Sequence, residues 1–487
     1  MKKYIFIAII CLSVCGSYCR AATFSAEPPN IVLIIGDDIG WNDIGSYGNK
    51  KVKTPNIDRM ADEGMRFTNA FLTTSQCSPS RSSIISGRYP HNTGAAELHT
   101  PLPASIQIFP ELLKNAGYYT AQAGKWHMGD HAKRGFDLVH DEGKKVNGDG
   151  GEDMWVNVLS GRPEEKPFFM WFASFDAHRP WGPNPLSGTM DHGKITPPPY
   201  LIDEEGTRQD LAKYYGEIAR FDHFVGEVEK ELIEQGVLDN TIIIVISDNG
   251  RPFPRSKTWL YDDGVRTPLV IKWPKGIPRE GQVCQSLISV IDLAPTLLEV
   301  SGVNLSESFQ GKSFAQLFHD PTLPFRDYVF AEHNWHDYES YERMVRTKDF
   351  LYLINRRPAL SNGSNGGLND VPSFSALIRA RKEGQLTVLQ NDVFIPRPEE
   401  AFYDCRTDQL QEHNLIDDPD FADEVTQLKT VLKRWQDETG DTEPEHLTPD
   451  WYERETETGK KVQTWGTRGE MPGAATRADT INAIGPF

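Results

Sequence analysis

Four hard oxygen donors stand at the ends of two apolar runs: Asp37 and Asp38 after Asn30-Ile31-Val32-Leu33-Ile34-Ile35-Gly36, and Asp248 and Asn249 after Thr241-Ile242-Ile243-Ile244-Val245-Ile246-Ser247. Such a set suits Ca²⁺ or Mg²⁺, and converging carboxylates favour calcium. Any one of them alone is more often a turn or helix-cap residue; the pairing of two such doublets points to a metal. Cys77 opens the segment Cys77-Ser78-Pro79-Ser80-Arg81-Ser82-Ser83-Ile84-Ile85-Ser86-Gly87-Arg88. Its Ser80–Ser86 stretch predicts a short helix whose free N–H groups favour an anion near Cys77. Lys125 and His127 in Gly124-Lys125-Trp126-His127-Met128-Gly129, His178 in Phe175-Asp176-Ala177-His178-Arg179-Pro180, and Lys257 add cations and titratable rings. Singly, a snorkelling lysine and a histidine in a turn are the simpler readings.

The elements that must position these groups are legible as periodicity. Asn30–Gly36, Phe168–Phe172 and Thr241–Ile246 are continuous apolar runs, as expected of central parallel strands buried on both faces. Each delivers polar groups at its C-terminal end, where open α/β sheets keep their sites. Helices are predicted from Thr54-Pro55 through Ala61, over Phe109–Ala116, along Leu211, Ile218, Val225 and Leu232 to a stop at Gly236, and over Leu293–Val300, with a further strand over Pro268–Trp273. Past about residue 325 the pattern changes: Met344–Ile354 and Ala401–Asp404 read as strands, and Phe421, Val425, Leu428, Leu432 and Trp435 form one helical face. The expected fold is α/β, a large mixed, mostly parallel sheet sandwiched by helices, with a smaller C-terminal α+β subdomain. The expected boundaries are a leader at 1–22, a catalytic domain at 23–325, the subdomain at 326–445 and a polar tail at 446–487 that wraps the surface.

Lys2 and Lys3, the apolar stretch Tyr4–Val14, and Cys19 and Ala21 at −3 and −1 have the form of a secretory signal, so export to the periplasm or beyond is expected. The run is too short to span a bilayer and no second span follows. Cys15 and Cys19 are candidate lipidation sites for a surface anchor, although Leu12-Ser13-Val14 lacks the usual small residue before Cys15. Processing leaves Cys77, Cys284 and Cys405, which is no disulfide framework. With 51 Lys+Arg against 69 Asp+Glu the net charge is −18, which excludes nonspecific nucleic-acid binding. An anionic substrate must therefore meet a local basic pocket against the global field.

Cys-x-Pro-Ser-Arg followed by a short helix and Gly-Arg resembles the signature of the formylglycine-dependent sulfatases, of the alkaline-phosphatase-like superfamily, and residues 28 to about 440 follow that family's order. The resemblance implies that Cys77 is oxidised to an aldehyde by a formylglycine-generating enzyme before folding. Its hydrate then attacks sulfur with one oxygen, and deprotonating the other expels sulfate. It implies one Ca²⁺ held by Asp37, Asp38, Asp248, Asn249 and an oxygen of the modified Cys77. Lys125 would contact the sulfate, His127 would hold the formylglycine hydroxyl, His178 would lie near the leaving-group oxygen, and Lys257, as a second active-site lysine, and Arg81 would complete the catalytic set. The chemistry requires such groups, since a nucleophile must approach an anion and a sugar alkoxide needs a proton as it leaves.

The sequence departs from the commonest pattern at Ser256 and Asp263, which replace glycines, and in the compact Arg251-Pro252-Phe253-Pro254 after Asp-Asn-Gly. That form is similar to the branch containing heparan N-sulfatase and bacterial polysaccharide sulfatases. The expected substrate is a sulfated polysaccharide or its oligosaccharides, ulvan ahead of glycosaminoglycans, with N-sulfoglucosamine hydrolysis as an alternative. Arg179, Trp181, His333, Trp335, His336 and Arg343 are candidates for sugar subsites, and Arg179 and Arg343 for holding uronate carboxylates; each is otherwise a packed aromatic or solvated charge. A phosphatase or phosphodiesterase of the same architecture is the second enzymatic reading, disfavoured because those relatives use two zinc ions and extra histidines. A pseudoenzyme that binds sulfated glycans without cleaving them is the third.

Overall fold

Three apolar runs lie side by side at the centre of the molecule: β1 (Asn30–Gly36) pairs in parallel with β5 (Phe168–Ala173) on one edge and β6 (Thr241–Ser247) on the other. The computed structural model describes residues 27–185, 190–361, 371–454 and 466–487, and the leader expected at 1–22 lies outside the described residues. With β2 (Met65–Phe71), β3 (Tyr119–Gly124), β4 (Leu138–His140), β7 (Leu269–Lys272) and β8 (Gln282–Ser289), these strands form an eight-stranded sheet of order β4-β3-β5-β1-β6-β7-β2-β8. Only β7 runs antiparallel to its neighbours.

The centre of the sheet is apolar because both its faces are covered. Side chains alternate across a strand. Val32 and Ile34 accordingly join one core with Leu211, Ile218, Val225 and Leu232 of the long helix α4 (Glu205–Glu234). Ile31, Leu33 and Ile35 join the opposite core with Phe109 and Leu113 of α3 (Phe109–Asn115) and Leu293 and Leu297 of α5 (Leu293–Val300). The expected helix from Thr54-Pro55 is α1 (Pro55–Glu63), and the Cys77 segment forms α2 (Cys77–Ser86).

A second sheet is antiparallel, with the order β12-β11-β10-β9 built from β9 (Val329–His333), β10 (Glu342–Arg346), β11 (Phe350–Asn355) and β12 (Glu400–Asp404). The apolar stretch Met344–Ile354, expected to be strand throughout, is a hairpin: Thr347 Oγ1 accepts the Phe350 N–H at 2.9 Å and reverses the chain. Helix α6 (Ala422–Thr439) covers this sheet with Leu428, Leu432 and Trp435, and the Trp435 ring lies parallel to Phe330 at 5.0 Å. Tyr89 and Ile291 of the larger unit enter the same cluster, so the two sheets share an apolar seam.

The described residues after Gly440, 441–454 and 466–487, are pinned rather than merely draped. Arg88 donates to the Ile481 carbonyl at 2.7 Å and the Asn482 side chain at 2.7 Å, and the Phe487 ring lies beneath Lys312 and Arg326. Arg343 is drawn into this anchoring and away from any sugar. It is fully buried in β10, its guanidinium meets Asp441 at 2.6 and 2.7 Å and Glu332 at 3.3 Å, and it donates to Asn334 at 3.0 Å. Removing it strands two buried carboxylates, so Arg343→Ala should lower the unfolding free energy by ~3–5 kcal/mol in denaturant titration. A loss below about 1 kcal/mol, the range of an exposed pair, would contradict this assignment.

Candidate active site

Strand register assembles the centre. Gly36 lies opposite Ser247 and Ile35 opposite Ala173, so Asp37-Asp38, Asp248-Asn249 and the Ser174–His178 turn leave the sheet at one level. Asp37 N–H donates to the Asp176 carbonyl at 2.7 Å, which stitches two of these ends together. Helix α2 aims its first residue at them. It begins at Cys77, earlier than the predicted Ser80, and Pro79 fits its first turn because an N–H there has no intrahelical acceptor. Gly87, at φ 62°, ends it in the left-handed region, with its N–H bonded to the Ser83 carbonyl at 2.8 Å.

Cys77 Sγ, a thiol here, lies 3.6 Å from Asp37 Oδ1 and 3.9 Å from Asp38 Oδ1. Ligand atoms of Asp37, Asp38, Cys77 and Asp248 all lie within 4.8 Å of one another, and all four residues are buried. Three cations answer the three carboxylates. Lys257 Nζ contacts Asp38 at 2.7 and 3.0 Å, Lys125 pairs with Asp37, and Arg81 Nε contacts Asp248 at 2.8 Å. Burial opposes ionisation of Asp38, but Lys257 beside it brings its carboxyl below the ordinary value. Burial likewise opposes the charge on Lys257, and Asp38 outweighs it and raises that lysine. Asn249 lies against Asp38, and its buried Oδ1 has no hydrogen-bond partner. An orphaned amide oxygen beside three carboxylates is a donor set that fits a hard divalent cation.

Burial pushes the Cys77 thiol up to about 12 against the opposing pull of Lys125 and Lys257. His127, which follows Lys125 with φ 67°, is lowered by burial and then by Lys125. His178 is exposed at the rim, with Nδ1 against the Arg179 carbonyl. The departures from the common motif are accommodated mutually: Ser256 Oγ donates to the Asp263 carbonyl at 2.6 Å, and Tyr200 donates to the Asp263 carboxylate at 2.9 Å.

The sugar-subsite candidates fare differently, and most are turned inward. Arg179 is committed to Asp210 through two 2.8 Å bonds and lies over Trp181 at 3.9 Å, so it holds the turn carrying His178 rather than a uronate. His333 is buried against Ser340 and Glu342, at 3.1 and 3.3 Å, and Trp335 packs on Trp451 at 4.5 Å. Trp181 is half-buried and donates to the Ala177 carbonyl at 2.8 Å, beside His178. His336 is buried, and that burial, then Lys257, lowers its pKa. Cys77, Cys284 and Cys405 are unpaired.

Sequence reading missed the ion knot beneath His178, where Arg220 bonds Asp176 at 2.7 and 2.5 Å and Glu217 at 2.6 Å. It also missed His99, whose ring reaches His127. The first has no sequence signal because its members are dispersed. For the second, the only signal is a lone histidine in a loop.

The mostly parallel sheet gathers a buried carboxylate cluster, matching cations and a helix-start residue at the C-terminal ends of its central strands. Residues 29–150 and 151–303, more than half of the chain, match the sulfatase model, and residues 255–354 match the C-terminal region of N-sulphoglucosamine sulphohydrolase. The chain belongs to the sulfatase family, and its class of activity is sulfuric ester hydrolysis. It is 28% identical to an ulvan-active sulfatase of Formosa agariphila over 90% of this chain and 82% of that one. It is 31% identical to N-sulphoglucosamine sulphohydrolase of Homo sapiens over 85% of this chain and 91% of that one. A solved complex with D-glucosamine-2-N,6-O-disulfate as substrate shares the fold at a TM-score of 0.67 and 22% identity, covering 84% of this chain and 98% of that one.

Calcium added to chelator-treated protein should raise the midpoint of thermal unfolding by mass action, and Asn249→Ala should remove most of that rise. Equal rises in the two proteins would contradict a role for Asn249 in holding the ion.

Proposed function

We propose that this chain is an exported sulfatase that releases sulfate from a sulfated polysaccharide or its oligosaccharides, using a formylglycine made from Cys77 and one calcium ion. The observation that carries this reading is Cys77 at the start of α2, buried among Asp37, Asp38, Asp248, Lys125 and Lys257. A thiol offers no second hydroxyl through which to expel sulfate, whereas the hydrated aldehyde supplies an oxygen nucleophile and a route to regenerate itself. Asp37, Asp38, Asp248 and Asn249 would hold the calcium, which supplies charge to orient the nucleophile and offset the carboxylates.

The chain's own groups then divide the work. Lys125, Lys257 and Arg81 face the anionic sulfate and neutralise charge on its oxygens. Lys125 and Lys257, now paired with Asp37 and Asp38, would be available for that task if those carboxylates held the ion. His127 holds the nucleophile's hydroxyl. His178 uses Nδ1 on the Arg179 carbonyl, which leaves Nε2 to protonate the departing sugar oxygen.

The phosphatase reading is weaker, since the oxygen-rich cluster at Cys77 contains no histidine ligand among the described residues. For substrate, the first choice remains ulvan, then glycosaminoglycans, with N-sulfoglucosamine as the alternative. With Arg179 and Arg343 paired internally, that order is supported by the relatives alone.

Cys77→Ala should abolish sulfate release while keeping a cooperative unfolding transition; substantial turnover by the purified variant would overturn the nucleophile. His178→Ala should impair sugar sulfates far more than an activated aryl sulfate, because a phenolate leaves without a proton. Since the acid form of His178 is required, kcat/KM on sugar sulfates should fall as pH rises through the pKa of that imidazole. A profile rising through that range, or equal losses on both substrates, would mean that His178 does not protonate the leaving group. Free sulfate measured from ulvan, heparan, chondroitin and carrageenan oligosaccharides should be greatest from ulvan. Release from carrageenan alone would refute a uronate-containing substrate, and release only from N-sulfated glucosamine would establish the sulfohydrolase alternative.

A further inference from the structure

His99 lies at the mouth of the site and has no part in the chemistry above. Its Nδ1 is 2.6 Å from His127 Nε2, with ring centroids 4.7 Å apart. Both histidines occupy the left-handed region, at φ 64° and 67°, a conformation that costs non-glycine residues energy and persists only where surroundings enforce it. Those surroundings are specific. The His99 N–H donates to Ser78 Oγ at 2.8 Å, one residue from Cys77, and the Leu98 N–H donates to the Trp335 carbonyl at 3.2 Å.

The C-terminal segment supplies the rest of the enforcement. Glu97 is buried, accepting from Thr448 Oγ1 at 2.7 Å and from Arg468 at 3.1 Å, and Arg468 also donates to the Leu98 carbonyl at 2.6 Å. The Arg468 guanidinium lies over Trp335 and Trp451, 4.9 and 5.4 Å from their centroids. A loop is thus strapped from three sides, and the residue it presents is nonetheless exposed. A hydrogen bond between two ring nitrogens occupies Nδ1 of His99 and leaves Nε2, on an exposed residue, with no hydrogen-bond partner among the described residues.

We propose that His99 is a specificity-determining residue of this site, its Nε2 hydrogen-bonding a hydroxyl of the sugar ring that carries the sulfate, with Glu97, Thr448 and Arg468 as its positioning residues. The proposal rests on the sulfatase reading above. It assigns the C-terminal segment a part in substrate recognition, because that segment fixes where the His99 ring stands.

The test separates the sugar from the sulfate. KM would be measured on whichever of the ulvan, heparan, chondroitin and carrageenan oligosaccharides the wild-type enzyme desulfates fastest, and inorganic sulfate would serve as a competitive inhibitor that lacks a sugar. Losing one such hydrogen bond in His99→Ala should raise KM by about ten-fold and the sulfate inhibition constant by less than about three-fold. His99→Gln, which restores an amide near the Nε2 position, should recover part of the loss, and Arg468→Met should shift KM in the same direction by less. Equal rises in both constants, or no rise in KM, would overturn the role of His99. A wild-type enzyme that releases sulfate from none of the saccharides would overturn the sulfatase reading instead.

Discussion

Burying Asp37, Asp38 and Asp248 together is the constraint on which the rest of the molecule depends. Three carboxylates cannot share a dry pocket unless opposite charge is fixed beside them. Lys125, Lys257 and Arg81 provide that charge, each from a different segment of chain. The same arrangement that makes the cluster tolerable makes it useful. Cations tied to carboxylates are held in place before any substrate arrives, and the proposed divalent ion would leave them available for an anion.

Holding six charged groups in one place requires a rigid support, and the central sheet provides it. Parallel strands buried on both faces leave little freedom of register, since a slip of one residue would turn each strand's side chains to the wrong face. The in-register ends of β1, β5 and β6 therefore fix the polar residues that follow them. The small sheet and the chain beyond Gly440 act from the other side. They share an apolar seam with the large sheet and strap the loop that faces Cys77.

Much of this was readable in the sequence, for identifiable reasons. The runs Asn30–Gly36, Phe168–Phe172 and Thr241–Ile246 announced central strands because burial on both faces forbids alternation, and helix Leu293–Val300 has the predicted limits. Asp37, Asp38, Asp248 and Asn249 could be grouped because chemistry collects at strand ends. The arginines expected to bind sugar could not be judged in the same way. Whether an arginine is free depends on its partner, and Asp210 lies 31 residues from Arg179 while Asp441 lies 98 from Arg343. The Arg220 knot and the His99–His127 contact were hidden for the same reason: pairing across the fold leaves no local pattern. The hairpin at Thr347 was missed because apolar residues continue on both sides of a turn whose side chain does the reversing.

The central claim is that the reactive group at position 77 is an aldehyde made from cysteine. The most direct measurement is the mass of the tryptic peptide Phe67–Arg81, taken on protein from a host that carries the modifying enzyme, alongside its rate of sulfate release. The account predicts a peptide lighter than the thiol form, one oxygen having replaced sulfur with loss of two hydrogens, and a rate proportional to the fraction converted. Full sulfate release from protein whose peptide carries only the thiol would contradict it.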